Sequence, residues 1–307
     1  MWAYLRLTQA GAPDMPTSQT LAGRSIVRMN GAGNRILVLD LRGVDALPSP
    51  AEARAIHRAK GLSYDQMMVV GDPRGGAQIP FVTIYNNDGT LAGACGNGSR
   101  CVADRLARET GVQHLAFETE AGDIACERVS ERAWRADMGA PGLGWQDIPL
   151  AHAVADTGRV ALLWTEGDPA EALGPASTVS MGNPHAVFFV PDLSEIDAAR
   201  LGPRIETHPI FPEKANVTFA QINGRNDVTA RVWERGVGLT LACGSAACAT
   251  LVAATRAGLM DREAVVRLPG GDLEIAWRES DGHLLMTGPV EFEGEFFLDD
   301  SLFAAAL

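Results

Sequence analysis

A short cysteine-containing sequence occurs twice in this chain of 307 residues. The first copy reads Ala-Cys-Gly-Asn-Gly-Ser-Arg-Cys at residues 94–101, and the second reads Ala-Cys-Gly-Ser-Ala-Ala-Cys at residues 242–248. Each copy places a Cys-Gly pair at the start of an apolar, alanine-rich run with helical character. Because Cys95 and Cys243 are 148 residues apart, close to half the chain, the pattern indicates an internal duplication with one thiol per half.

Thiols in this position are suited to proton transfer. The N-terminus of a helix favours a thiolate, and the free N–H groups of its first turn bind a carboxylate. If the two turns face each other, one thiol would lie on each face of the carbon that bears the carboxylate. One thiolate would remove an α-proton and the opposite thiol would deliver one to the other face. This is racemisation or epimerisation by general acid–base catalysis, with the N–H groups stabilising the enolate-like charge.

The remaining three cysteines are predicted to pack in the core. Cys101 and Cys248 lie on the two helices themselves, and Cys126 lies in a strand-like segment without a partner motif. Small thiol side chains at such positions pack as apolar residues. The spacings Cys-x5-Cys and Cys-x4-Cys are also longer than the short chelates of zinc sites, so we expect no metal ion.

Polar residues at strand ends or turns form a second group: Asn86, Asn183, Asn216 and the pair Glu234-Arg235. Asparagine is common in turns for backbone reasons, so each asparagine alone is a weak signal. Glu234-Arg235 is more informative, since it is followed by a glycine and comes shortly before Cys243. An arginine binds a carboxylate bidentately and a neighbouring glutamate can hold an ammonium group, so the pair could bind a second amino-acid head group.

Composition excludes several classes of function. The formal net charge of -12 argues against a nucleic-acid partner, which requires a basic surface. No apolar run approaches the length needed to cross a bilayer, which argues against a membrane partner. The only lysines are Lys60 and Lys214, and neither lies in a pyridoxal phosphate motif, so this cofactor is not expected. Five cysteines without a secretory signal predict reduced thiols in the cytoplasm.

Hydrophobic periodicity predicts short strands with a few helices in each half. The predicted helices are at residues 50–60, 97–109, around 197–204 and 245–256. The predicted strands are at residues 25–29, 36–40, 66–70, 79–85, 116–119, 124–129, 133–138, 160–164, 178–181, 186–190, 217–222, 227–234, 265–268, 272–277, 284–287 and 290–298. Each half therefore places one buried helix among several strands.

Taken together, the motifs resemble those of the diaminopimelate epimerase family from Arg28 to about Phe297. The matching segments are Gly31-Ala32-Gly33-Asn34, Asp65-Gln66, Asn86-Asn87-Asp88-Gly89 with Cys95-Gly96-Asn97-Gly98, Gly182-Asn183-Pro184-His185, Asn216, and Glu234-Arg235-Gly236 with Cys243-Gly244-Ser245. The ordered set is specific, although each segment alone is not. The chain departs from the common pattern at Ala94, Leu239 and Arg35-Ile36, and no departure removes a catalytic group.

The resemblance implies a cofactor-independent enzyme that epimerises LL-2,6-diaminopimelate to meso-diaminopimelate in lysine and peptidoglycan precursor synthesis. It implies that Cys95 and Cys243 are base and acid and exchange roles with the direction of the reaction. The backbone N–H groups implied to hold the reacting carboxylate are those around Gly96, Asn97, Gly244 and Ser245. The side chains implied to hold substrate are Asn34, Gln66, Asn86, Asn183, Asn216, Glu234 and Arg235, with His185 in a supporting role.

The resemblance also implies an α+β fold of two pseudo-symmetric α/β halves, each a mixed or antiparallel β-sheet wrapped around a central helix. We expect residues 1–23 to form a flexible N-terminal extension, residues 24–141 with 290–307 to form one half, and residues 142–289 to form the other. The active site would lie in the cleft between the halves. The expected partners are a small-molecule substrate, diaminopimelate, and a second copy of the chain in a homodimer.

Other interpretations remain open from the residues alone. A proline or hydroxyproline racemase-like enzyme would share the fold, but its compact substrate does not need Glu234-Arg235. A redox protein would cycle Cys95 and Cys243 between thiols and a disulfide. A pyridoxal phosphate racemase is disfavoured by the lack of a suitable lysine motif.

Overall fold

The computed structural model describes residues 21–303, which form two compact units. The first unit contains the described residues up to Ala136 together with those from Pro289 onward, and the second runs from Asp137 to Gly288. Residues 1–20 of the predicted N-terminal extension lie outside the described residues. Leu21 is buried in the core of the first unit.

The strands and helices are numbered in chain order, and each label refers to the following bounds. They are β1 (Ser25–Gly31), β2 (Asn34–Asp40), α1 (Pro50–Arg58), β3 (Gln66–Gly71), β4 (Phe81–Asn86), β5 (Leu91–Ala92), α2 (Gly96–Thr110), β6 (His114–Thr119), β7 (Gly122–Ser130), β8 (Ala133–Asp137), β9 (Ser177–Ser180), β10 (Pro184–Phe189), α3 (Ala198–Glu206), β11 (Asn216–Gly224), β12 (Asp227–Glu234), β13 (Gly238–Thr240), α4 (Gly244–Arg256), β14 (Glu263–Leu268), β15 (Gly271–Trp277), β16 (Leu284–Pro289) and β17 (Glu291–Phe297).

Local signals explain where the helices begin and end. Ser49 and Glu52 form a capping box at the start of α1, with the Ser49 hydroxyl accepting from the Glu52 N–H and the Glu52 carboxylate accepting from the Ser49 N–H. Helix α2 ends at Gly111, whose φ of +72° is the left-handed conformation that glycine adopts readily. Both α2 and α4 begin at the glycine directly after a cysteine, one residue earlier than the sequence predicts.

The first unit has both parallel and antiparallel strand pairs. β1 and β2 form an antiparallel hairpin, β2 is parallel to β3, and β3 is antiparallel to β4. β4 carries the short antiparallel β5 and the parallel β6, after which β6, β7 and β8 form an antiparallel meander. The last strand of the chain, β17, pairs antiparallel with β1 and completes this sheet.

The second unit repeats this pairing strand by strand. β9 is antiparallel to β10, β10 is parallel to β11, and β11 is antiparallel to β12. β12 carries the short antiparallel β13 and the parallel β14, and β14, β15 and β16 form a meander. The crossover from β2 to β3 contains α1, and the crossover from β10 to β11 contains α3. Helix α2 follows the short strand β5, and α4 follows the short strand β13. Both units therefore have the same topology, as the predicted duplication requires.

The helix that follows each cysteine packs at the centre of its unit. Helix α2 contacts β1, β2, β3, β6 and β7, and α4 contacts β9, β10, β11, β12, β14 and β15. Cys101 and Cys248 are fully buried on these helices and Cys126 is 1% exposed, which confirms their predicted packing in the core. The predicted α+β fold, with a sheet wrapped around a central helix in each half, is confirmed.

Three details of the secondary structure differ from the prediction. The predicted strand at residues 160–164 is wrong, because only an isolated bridge joins Val160 to Ala176 there. The short strands β5 and β13 were not predicted. Helix α1 ends at Arg58 instead of Lys60, because Ala59 is already extended.

Candidate active site

Cys95 caps the N-terminus of α2 in the first unit. Its backbone is extended, with φ of −150° and ψ of 100°, and its sulfur accepts a hydrogen bond from the Gly98 N–H at 3.2 Å. The thiol also lies 3.3 Å from Gln66 Oε1, to which it donates. Cys95 as a whole is half-buried, and its sulfur is held by two hydrogen bonds.

A chain of amide side chains extends from this sulfur. Asn34 Nδ2 donates to Gln66 Oε1 at 3.0 Å, and Gln66 Nε2 lies 3.5 Å from Asn86 Oδ1. The three amides come together because they occupy one end of neighbouring strands, with Gln66 paired to Asn86 in the β3–β4 register and β2 beginning at Asn34. The structure therefore groups four of the predicted site residues, Asn34, Gln66, Asn86 and Cys95.

Close packing brings the first turn of α2 against the sheet. A Cβ at Gly98 would lie 2.5 Å from the sulfur of Met68, so only glycine lets the helix approach β3 at this distance without moving Met68. Gly96 is buried and Asn97 is 2% exposed, and the Asn97 side chain accepts from Arg100 Nη2 at 2.9 Å. The side chain of Asn97 is thus engaged within α2.

Cys243 occupies the corresponding N-cap position of α4 in the second unit, with φ of −135° and ψ of 114°. Its sulfur lies 3.4 Å from the Ser245 hydroxyl. Burial raises the pKa of the Cys243 thiol well above its ordinary value, and the negative charge of Glu234 raises it further. The Ser245 hydroxyl and the Ala246 N–H act in the opposite direction with smaller effects. The balance keeps this sulfur protonated at neutral pH.

A buried histidine lies at the start of β10. His185 is fully buried, and its Nε2 lies 2.9 Å from Asn183 Oδ1. Burial, together with the positive charge of Arg235, lowers the pKa of His185 to about 3. The ring is therefore neutral at neutral pH, and the acceptor character of Asn183 Oδ1 assigns the proton to Nε2. The structure brings together His185 and Asn183, which are two residues apart in the motif.

The Glu234-Arg235 pair lies at the end of β12, where Asn216 holds the Arg235 backbone. Asn216 is 3% exposed, accepts from the Arg235 N–H at 2.9 Å, and donates to the Pro184 carbonyl at 3.2 Å. The Arg235 guanidinium donates to the Glu213 carbonyl at 2.9 Å. Asn216 thus joins the start of β10 to the end of β12, and the predicted ligands of the second unit form one group.

Strand register relates the polar residues of one unit to those of the other. The parallel pairs are Ile36–Gln66 in the first unit and His185–Asn216 in the second, and the neighbouring antiparallel strands bring Asn86 and Glu234 alongside. The equivalent positions are Asn34 and Asn183, Gln66 and Asn216, Asn86 and Glu234, and Cys95 and Cys243. Each unit therefore has a predicted site residue at the same four positions. The charged pair Glu234-Arg235 occupies the positions that Asn86-Asn87 occupy in the first unit. The catalytic and binding roles of these residues stay predictions.

Sequence reasoning missed two residues next to this group, Glu206 and Trp233. The Glu206 carboxylate accepts from the Trp233 indole N–H at 2.7 Å and from the Gly236 N–H at 3.1 Å. The one available signal was a tryptophan directly before Glu234. The position of Glu206 at the end of α3 gives no hint of this contact in the sequence.

Neither a metal-binding cluster nor a membrane-spanning helix occurs within residues 21–303. No three or more His, Cys, Asp or Glu side chains there are grouped so that they could hold a metal ion. No helix in that range is both long and apolar enough to cross a bilayer. Lys60 and Lys214 are exposed, and Lys214 Nζ lies 3.6 Å from a carboxylate oxygen of Glu206.

Comparison with known proteins gives a match to one family over both units. The model of the diaminopimelate epimerase family matches residues 26–143 and 177–293. A relative from Afipia carboxidovorans called diaminopimelate epimerase is 54% identical over 286 residues, which cover 93% of this chain and 98% of the relative. The matched ranges include both cysteine turns and every predicted substrate residue.

Solved structures with low sequence identity share the fold. A predicted epimerase from Pseudomonas aeruginosa has a TM-score of 0.65 and 19% identity, with 90% of this chain and 99% of that chain covered. A hydroxyproline epimerase from Agrobacterium vitis has a TM-score of 0.64 and 16% identity, with 91% and 94% covered. At this identity the likeness concerns the fold alone.

Proposed function

The chain belongs to the diaminopimelate epimerase family and is an isomerase, and we propose that it converts LL-2,6-diaminopimelate to meso-diaminopimelate with Cys95 and Cys243 as base and acid. The observation that carries the proposal is the placement of both cysteines as N-caps, at equivalent positions of two units with one topology. The free N–H groups beside an N-cap sulfur attract both a thiolate and a carboxylate. The proposed reaction uses no cofactor.

The proposed mechanism needs one thiolate and one thiol on opposite faces of the reacting carbon. The thiolate removes the α-proton, and the electron pair left on carbon delocalises into the adjacent carboxylate. N–H groups at Gly96 and Asn97 of α2 and at Gly244 and Ser245 of α4 stabilise that charge. The opposite thiol then protonates the carbon from its other face, which inverts the configuration and leaves the two sulfurs with exchanged protonation states.

The electrostatics of Cys243 support its role as the proton donor of the resting enzyme. Burial and the Glu234 charge both raise the pKa of this thiol, so the protonated form is favoured before substrate binds. A donor must carry its proton at the start of the reaction. In the reaction that starts with Cys243 protonated, Cys95 would then be the base.

The Glu234-Arg235 pair is suited to the distal, unreacted end of the substrate. In the proposed complex the Glu234 carboxylate binds the distal ammonium group and the Arg235 guanidinium binds the distal carboxylate. An amino acid without a second head group would make neither of these contacts, which strongly disfavours its binding. Asn183 and Asn216 would orient the same end, while Asn34, Gln66 and Asn86 would contact the substrate from the first unit.

Hydrogen exchange in deuterated water tests the proposal. Reduced enzyme incubated with LL-diaminopimelate should place deuterium at one α-carbon of the product, as measured by mass spectrometry and proton NMR. Cys95→Ser and Cys243→Ser should each abolish epimerisation. Cys248→Ala removes a thiol from the core of the same helix α4 and serves as the matched control, with epimerisation retained.

Two results would overturn the proposal. One is the absence of exchange by fully reduced wild-type enzyme, and the other is full activity in both serine variants. Racemisation of proline without activity on diaminopimelate would favour a proline racemase-like function instead.

The biological setting follows from the proposed reaction. The product is a precursor of lysine and of peptidoglycan, and we propose that the enzyme acts in that synthesis in the cytoplasm. Homodimer formation also stays a prediction, which light scattering of the purified chain would test.

A further inference from the structure

A buried carboxylate lies beside the Glu234-Arg235 pair without being part of it. Glu206 is the last residue of α3 and is 6% exposed. One of its oxygens accepts from the Trp233 indole N–H at 2.7 Å, and the other accepts from the Gly236 N–H at 3.1 Å. A buried carboxylate is costly unless it is hydrogen-bonded, and here its two donors come from the residues that flank Glu234-Arg235 in the chain.

Packing between α3 and Trp233 fixes the position of the indole. A Cβ at Gly202 would lie 2.4 Å from the Trp233 Cγ, so the ring rests directly on the helix where α3 has no side chain. The indole N–H then reaches Glu206 one helical turn further on. Glycine at position 202 and the carboxylate at position 206 thus hold Trp233 against one face of β12.

The orientation of Trp233 determines the orientation of Glu234. Successive side chains of a strand point to opposite faces, and α3 and α4 both contact β12. With Trp233 held against α3, Glu234 points to the other face of the strand. This is the face of Cys243, whose pKa is raised by the Glu234 charge.

Two successive backbone N–H groups in the turn after Glu234 donate to side chains outside the turn. The Arg235 N–H donates to Asn216 and the Gly236 N–H donates to Glu206. The backbone carbonyl of Glu206 also accepts from the Ala215 N–H, directly before Asn216. Glu206 therefore supports both the turn and the residue that holds it from the other side.

The first unit supports its equivalent turn from the equivalent helix. Arg54 of α1 donates from Nη1 to the carbonyl of Asp88, in the turn that follows Asn86. Gly89 in that turn packs so closely on α1 that an added Cβ would lie 2.5 Å from the Pro50 carbonyl oxygen. In both units the crossover helix thus holds the turn after the fourth strand of the common topology.

We propose that Glu206 is a positioning residue that sets the direction of the Glu234 and Arg235 side chains for the distal head group of the substrate. The inference depends on the function proposed above, since it concerns how tightly diaminopimelate is held. Glu206 takes no part in proton transfer. Its loss should therefore weaken substrate binding more than it slows the chemical step.

Steady-state kinetics with LL-diaminopimelate tests this role. Glu206→Gln keeps the shape but turns an amide N–H towards either the indole N–H or the Gly236 N–H, so the KM should rise about tenfold while kcat changes less than about threefold. Trp233→Phe keeps a ring on Gly202 and removes the indole donor, so the KM should rise by a smaller factor. The double variant should be no worse than Glu206→Gln, because both changes break the same contact.

The exposed Glu195 in the same unit supplies the matched control, and Glu195→Gln should leave KM and kcat unchanged. A KM within twofold of wild type in both variants overturns the positioning role, as does a fall in kcat at unchanged KM. If Glu206→Gln does not fold, Trp233→Phe decides by the same criterion. Wild-type enzyme that exchanges no α-proton would overturn the proposed function, whereas active variants with normal KM would overturn the positioning role alone.

Discussion

Replacement of Gln66 tests how the first unit holds its thiol. Leucine has a similar size and no hydrogen-bonding group, so Gln66→Leu removes the acceptor without opening a large cavity. The acceptor serves Asn34 Nδ2 at 3.0 Å and the Cys95 thiol at 3.3 Å. The contact from Gln66 Nε2 to Asn86 is 3.5 Å, at the outer limit of a hydrogen bond, and adds little.

The expected losses differ in size for stability and for activity. A neutral hydrogen bond contributes about 1 kcal/mol and a thiol donor contributes less, so the free energy of unfolding should fall by about 1–2 kcal/mol. With a urea m-value of about 2 kcal/mol per M, the unfolding midpoint should fall by about 0.5–1 M. The kcat should fall by about 100-fold, since small displacements of a reacting group have large effects on rate.

Urea titration followed by fluorescence and the deuterium exchange assay measure both quantities. Asn216→Leu is the control, because Asn216 is the equivalent residue of the second unit and its amide bonds two backbone groups, the Pro184 carbonyl and the Arg235 N–H. It should raise the KM through the Arg235 backbone instead of lowering kcat. A Gln66→Leu enzyme with the wild-type midpoint and kcat would refute the inference that this amide orients Cys95.

Three further substitutions test separate features. Ser49→Ala removes the capping box of α1 and should lower stability by about 1 kcal/mol in calorimetry, with kcat unchanged; a lower kcat would contradict this. Gly89→Ala should lower stability by about 2 kcal/mol or more, because φ is +86° and the new Cβ would meet the Pro50 carbonyl. A calorimetric midpoint equal to that of Ser49→Ala would count against this reasoning. Glu234→Gln removes a charge that raises the pKa of Cys243, so alkylation of Cys243 by iodoacetamide at about pH 8 should become faster by peptide mass spectrometry. An unchanged rate would mean that burial alone sets this pKa.

Sequence was a good guide to where the two central helices begin and to their burial. The Cys-Gly pairs at positions 95 and 243 predicted two helix starts, and both helices begin at the following glycine. The nearly continuous apolar surface of α4 predicted a buried helix, and Cys248 at its centre is fully buried. These features depend on residues within one or two helical turns, so a single stretch of sequence contains the information.

A continuous apolar run misled the prediction at residues 160–164. Val160 and Leu162 are buried in the core, but within residues 21–303 the segment has no strand partner beyond the bridge to Ala176. An apolar run indicates that side chains are buried and does not show whether the backbone is paired. Strands β5 and β13 were missed for a related reason, since segments of two and three residues carry no period.

The arrangement of the candidate site depended on contacts between distant residues. Asn34, Gln66 and Asn86 are individually weak signals in turns and at strand ends, and only the strand register brings their amides into one chain. The equivalence of Asn86 and Glu234 also becomes visible only through pairing. Glu206 could not be found in advance, because its partners Trp233 and Gly236 are 27 and 30 residues away.

The pairing of β17 with β1 has a consequence for the order of folding during synthesis. The first unit cannot complete its sheet until the last strand leaves the ribosome, whereas the second unit is continuous from Asp137 to Gly288. At roughly 5–20 residues per second, the roughly 160 residues after Ala136 take about 8–30 s to synthesise. During that interval one edge of β1 presents unpaired backbone groups that other chains could bind. The second unit should therefore be the first to become protease-resistant on the ribosome, and a chain stalled before β17 should be the form most prone to aggregate.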